Sequence, residues 1–117
     1  MSDQPATTMN PIDAIKAQDL QARVIEVLRT VYDPEIPVNI YDLGLIYGVD
    51  ATPEGKVHIR MTLTSPMCPV AGSLPGDVKA RVEGVDGVTE AAVEVVWDPP
   101  WTMEQLSEAA RLQLGLN

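Results

Sequence analysis

The chain has 117 residues, 45% of them apolar, with 17 acidic against 8 basic side chains and a net charge of −9. That length suits one domain with a core large enough to need no disulfides. The lack of clustered Lys or Arg argues against nucleic acid as a partner, and no apolar run approaches the roughly 18 residues of a membrane span.

The first stretch, "MSDQPATTMN", has no basic region followed by an apolar block. No secretory signal is expected, and residues 1–12 read as a disordered tail. A single domain follows over residues 13–117. A helix starts at Asp13 or, at the latest, Asp19. Leu20, Val24, Val27, Leu28 and Val31 form one stripe of it. Pro34 disfavours helical backbone at the residue before it, which predicts an end near Tyr32 or Asp33.

"YDPEIPVNIYDLG", residues 32–44, is a loop punctuated by prolines, aspartates, an asparagine and a glycine. "LIYGV" (45–49) and "KVHIRMTLT" (56–64) read as strands joined by the turn "ATPEGK", hence an antiparallel hairpin. In the second strand Val57, Ile59, Met61 and Leu63 take one face. His58, Arg60, Thr62 and Thr64 take the other.

A second helix follows Cys68, with Val70, Leu74, Val78 and Val82 on one face and Gly84 and Gly87 at its end. Pro75 interrupts the pattern, so the regular part starts either at Pro69 or near Leu74. "VTEAAVEVVW" (88–97) is a third strand with Ala91, Val93, Val95 and Trp97 on one side. It can join either hairpin strand. Thr102 and Gln105 form a capping box for a last helix that runs to about Leu114 and stops at Gly115. The order is α-β-β-α-β-α. The fold class is α/β in the two-layer α+β sense, a small three-stranded sheet with helices mainly on one face. Its open edges allow a homodimer unless Arg60, Glu90 and Glu94 block them.

Cys68, the lone cysteine, is the main chemical candidate. It cannot form an internal disulfide, which fits a cytoplasmic address. Were a helix to start at Pro69, Cys68 would sit at its cap, where the dipole favours thiolate, the form that attacks electrophiles and binds metal. A buried structural cysteine is the plain alternative. Asp33, Glu35 and Asp42 lie within ten residues of each other. They either gather round a cation or serve as local turn formers. His58 belongs to the solvent side of its strand. One His and one Cys cannot close a four-ligand zinc site, and one thiol cannot hold an iron–sulfur cluster with four thiolates. Trp97 and Trp101 either close the core edge or anchor a partner. No phosphate loop, nucleophile elbow or HExxH motif is present.

Three stretches, "DPEIPVNIYDLGLIY" (33–47), "MTLTSPMCPVAG" (61–72) and "VVWDPPWT" (95–102), together with "LSEAARLQLGL" near the end, resemble the SufT/PaaD-like iron–sulfur assembly factor family. The resemblance spans about residues 20–117. It implies a small α/β protein that matures iron–sulfur proteins as carrier, adaptor or targeting factor, without a defined catalytic reaction. It also implies a transient iron–sulfur cluster as cargo, and the assembly machinery and client apo-proteins as partners. The family's motif cysteine matches Cys68, its acidic loop matches Asp33, Glu35 and Asp42, and its strand-end threonines match Thr62 and Thr64, with Ser65 beside them. Met67 stands where some members have glycine. The expectation is a non-enzymatic factor with Cys68 as cluster or metal ligand, or as partner contact. The alternatives are a thiol enzyme with Cys68 as nucleophile, and a plain adaptor that docks through Trp101 and the last helix.

Overall fold

The computed structural model describes residues 10–33, 36–64 and 74–115. In chain order they form α1 (Pro11–Leu28), β1 (Ile46–Ala51), β2 (Lys56–Met61), α2 (Leu74–Glu83), β3 (Glu90–Val95), a 3-10 turn (Met103–Gln105) and α3 (Glu108–Gln113). This is the predicted α-β-β-α-β-α order, with an extra short turn before the last helix.

Both ends of α1 differ from the sequence reading. The Asn10 side chain accepts a bond from the Asp13 N–H (2.8 Å), and Pro11 takes the first helical position. A side-chain cap and a proline there make a helix start, so Pro11 and Ile12 belong to the helix and not to a tail. At the other end the helix stops at Leu28, well before Pro34 acts. The Thr30 hydroxyl donates to the Val27 carbonyl (2.6 Å), local competition of the kind that closes helices. Tyr32 then pairs with Asn39 in an isolated bridge.

The sheet order is β1-β2-β3. β1 and β2 are antiparallel and β2 and β3 parallel, so the third strand joins the second. Val49, Val57, Ile59, Met61 and Ala91 face inward and share one core with Leu20, Val24 and Leu28 of α1 and Leu74, Val78 and Val82 of α2. The alternation predicted for β2 holds, because every second residue of a strand points to the same face. The ladder itself ends at Met61. β1 carries an irregularity between Ile46 and Gly48. The outer face holds Asp50, His58, Arg60 and Glu94, and His58 Nε2 lies 3.2 Å from Glu94 Oε1.

The capping box exists, but around the 3-10 turn: the Gln105 side chain accepts from the Thr102 N–H (2.8 Å). Leu106 is extended, which breaks the helix before it begins. α3 starts instead under Ser107, whose Oγ accepts from the Ala110 N–H (3.1 Å). It packs on the loop that follows α1, through Ser107 N–H to Asp42 O (2.8 Å) and Gln113 Nε2 to Pro37 O (3.1 Å). Leu106 and Ala110 enter the core from that side.

Candidate functional site

The acidic loop is organised by its own side chains. Asp33 is 8% exposed, and its Oδ2 accepts from the Ile36 N–H (2.8 Å). Asn39 accepts from the Asp42 N–H through Oδ1 and donates to Asp42 Oδ2 through Nδ2, both at 2.8 Å. Leu43 N–H reaches Asn39 O (2.9 Å), completing one helical turn that Gly44 ends at φ +87°. Val38, Ile40, Leu43 and Leu45 are fully buried and anchor the loop from below. The Arg29 guanidinium lies 4.9 Å from the centre of the Tyr41 ring. Asp33 and Asp42 thus both make turn contacts of the type the sequence reading held as the alternative to cation binding. Glu35 lies outside the described residues.

This loop runs directly into the end of β2. The Thr62 N–H donates to Leu45 O (2.8 Å), and on the other side Val96 N–H donates to Met61 O (2.8 Å). Past Val96 the chain bends back, and the Trp101 Nε1–H donates to Leu43 O (2.8 Å). Loop, strand end and C-terminal segment are therefore tied together. They frame a cavity of about 370 Å³ lined by Leu63, Thr64, Trp97, Pro100 and Trp101. Trp97 is 47% exposed and Trp101 half-buried, so the cavity has one solvent-accessible aromatic wall and one wall fixed by a hydrogen bond. Ser65 and Cys68 continue the chain from Thr64 and lie outside the described residues.

Thr62 is the unexpected member. Alternation places it on the polar face with His58 and Arg60, yet it is 1% exposed and its hydroxyl has no hydrogen-bond partner among the described residues. A buried hydroxyl left unpaired costs about 1–3 kcal/mol. Thr62→Val is expected to raise stability by about 1–2 kcal/mol, seen as a higher urea midpoint with an unchanged m-value. Loss of stability in that variant would show that the hydroxyl is satisfied after all.

Among the described residues no three His, Cys, Asp or Glu side chains gather closely enough to hold a metal, and no helix is long and apolar enough to cross a membrane. His58 is half-exposed on the outer face, as its place in the strand predicted. The sequence reading overlooked Asn39 as the loop's organiser, although its spacing three residues before Asp42 is a capping signal. It also overlooked Leu63 and Pro100 as cavity walls, for which no local pattern exists.

A family model described as iron-sulfur cluster assembly protein matches residues 21–95. A "Fe-S protein maturation auxiliary factor" of Porphyromonas gingivalis is 50% identical over 92 residues, 79% of this chain and 88% of that protein. The "Fe-S protein maturation auxiliary factor YitW" of Bacillus subtilis is 40% identical over 97 residues, 83% of this chain and 95% of that protein. The crystal structure of a domain of unknown function from Bacillus anthracis superposes with a TM-score of 0.82 at 39% identity, covering 90% of this chain and all of that one (100%).

Proposed function

The chain belongs to the iron–sulfur cluster assembly protein family, and from that premise we propose that it is a non-enzymatic factor that helps assemble iron–sulfur clusters or deliver them to client proteins. The observation that carries this reading is the span of the family match, residues 21–95. It takes in the acidic loop, the strand end and Cys68 together.

In this reading the cluster is cargo, and Cys68 supplies a thiolate to it or to the partner that holds it. Chain connectivity alone keeps Cys68 within about 14 Å of Thr64, four residues at the length of extended backbone. Asp33, Glu35 and Asp42 shape the field of that end of the molecule, and Thr62, Thr64 and Ser65 are its hydroxyl neighbours. The open cavity beside Trp97 and Trp101 is the contact for assembly machinery and client apo-proteins, since Trp is enriched among interface anchors. One thiol cannot complete a cluster's coordination. The rest comes from the partner or from a second copy of the chain in a homodimer. A free thiol of this kind suits the reducing cytoplasm.

The test is a transfer assay. The purified chain is incubated anaerobically with iron and sulfide, desalted, and added to an apo-ferredoxin. The expected result is faster appearance of the holo-ferredoxin spectrum than with free iron and sulfide at the same concentrations. Equal rates would overturn the delivery role.

A further inference from the structure

Arg60 was expected to guard a sheet edge, but β2 is the central strand, so its charge needs another account. Among the described residues it is also the arginine without a partner. Arg23 pairs with Asp19 (2.8 Å), and Arg29 stacks on Tyr41. Arg81 reaches Thr30 Oγ1 (3.5 Å), and Arg111 donates to the Met103 and Glu104 carbonyls (3.4 and 3.3 Å). Glu94 stands opposite Arg60 in the β2–β3 register but is engaged by His58. In a chain of net charge −9, an arginine with no acidic partner among the described residues leaves its positive charge available to an external anion.

The guanidinium lies across Gly48, its register partner on β1. A Cβ on Gly48 would overlap it. From there Arg60 forms one wall of a cleft of about 580 Å³ between the outer sheet face and the C-terminal segment. Tyr47 and Gln105 form a second wall, held by a relay: Gln105 Nε2 donates to the Tyr47 hydroxyl (3.0 Å), which donates to Pro99 O (2.7 Å). Gln105 keeps one amide hydrogen without a partner among the described residues. Ile46, Val96 and Pro99 supply apolar surface to the same cleft, and Asp98 lines it as well.

We propose that this cleft binds a small monocarboxylate with a short hydrocarbon body. The guanidinium fork matches a carboxylate through two parallel hydrogen bonds, and the spare Gln105 N–H adds a third donor. The apolar surface takes the hydrocarbon part. The Asp98 carboxylate in the lining repels any anion, but a dianion such as phosphate about twice as strongly as a monocarboxylate, because the repulsion scales with charge. None of the residues invoked in this cleft is Cys68, and the binding proposed needs no cluster.

Hexanoate, hexanamide and inorganic phosphate are the probes, titrated separately while the Arg60 Nε and Gln105 side-chain resonances are followed by nitrogen-15 NMR. Hexanoate is expected to give saturable shifts at both groups, and hexanamide and phosphate to bind at least about tenfold more weakly. Arg60→Gln is expected to weaken hexanoate by about tenfold or more. Gly48→Ala displaces the guanidinium without removing it and is expected to weaken hexanoate too, with thermal melts confirming that both variants fold. Equal binding of hexanamide, tighter binding of phosphate, unchanged affinity in Arg60→Gln, or no saturable shift would each overturn the proposal.

Discussion

Cys68→Ser is expected to lose nearly all the iron and sulfide that the wild-type chain retains after anaerobic reconstitution and desalting. The reason is ligand chemistry. Iron in a sulfide cluster is matched by soft thiolate donors, and a cysteine thiol with a pKa of about 8.5 ionises at accessible pH. A serine hydroxyl is a hard donor that stays protonated there. The change keeps the side chain nearly the same size, so the circular dichroism spectrum and urea midpoint should match the wild type. That control separates loss of a ligand from loss of the fold. Equal retention of iron and sulfide by the two proteins would remove Cys68 from the cluster. The adaptor reading would then stand, with Trp101 and the last helix as the contact and partner binding insensitive to Cys68→Ser.

Gly44→Ala should cause the largest structural loss, about 2–5 kcal/mol from two costs that fall at one position. Gly44 has φ +87°, left-handed backbone that disfavours any Cβ. The added methyl would also overlap the Gln105 carbonyl oxygen and come within 2.9 Å of its Cβ. Backbone cannot step aside as a flexible side chain would, so the segment around Gln105 must lift. Lifting it strains the Trp101–Leu43 and Ser107–Asp42 bonds and uncovers Leu106 and Ala110, both buried in the core. Urea unfolding measures the cost, and increased Trp101 exposure should accompany it. Gly76→Ala is the matched control. Gly76 lies in α2 with nothing within 4 Å of a Cβ, and alanine there should stabilise by about 0.5–1 kcal/mol. A Gly44→Ala protein as stable as wild type would show that the C-terminal segment does not depend on this close approach.

Much of the fold is legible because its signals are local. Val57, Ile59 and Met61 sit inward as their period of two requires, and Leu20, Val24 and Leu28 as their period of about 3.6 requires. The misreadings have physical causes too. Pro34 seemed to end α1, but a threonine hydroxyl four residues earlier competes for the helix carbonyls first. Thr102 and Gln105 form their capping box around a single short turn, because Leu106 is already extended. Thr62 reads as solvent-facing by alternation, yet it is buried just past the end of β2, where Leu45 and Val96 bond to the chain on either side. Of the site, the acidic loop and the threonines were visible as residues. Their arrangement was not.

By itself, then, the sequence determined the order of the elements, the inward face of β2 and the single thiol, and its three motifs carry the resemblance to the iron–sulfur assembly family. The elements and faces depend on residue type and on spacings of a few residues, which backbone geometry converts directly into faces and turns. Only the tertiary structure decided that β3 lies beside β2, that Trp101 is bonded to a carbonyl 58 residues away, and that Arg60 stands over Gly48 with no acidic partner among the described residues. Such contacts are chosen by how the buried faces pack together, a property of the whole chain that no short window of residues contains.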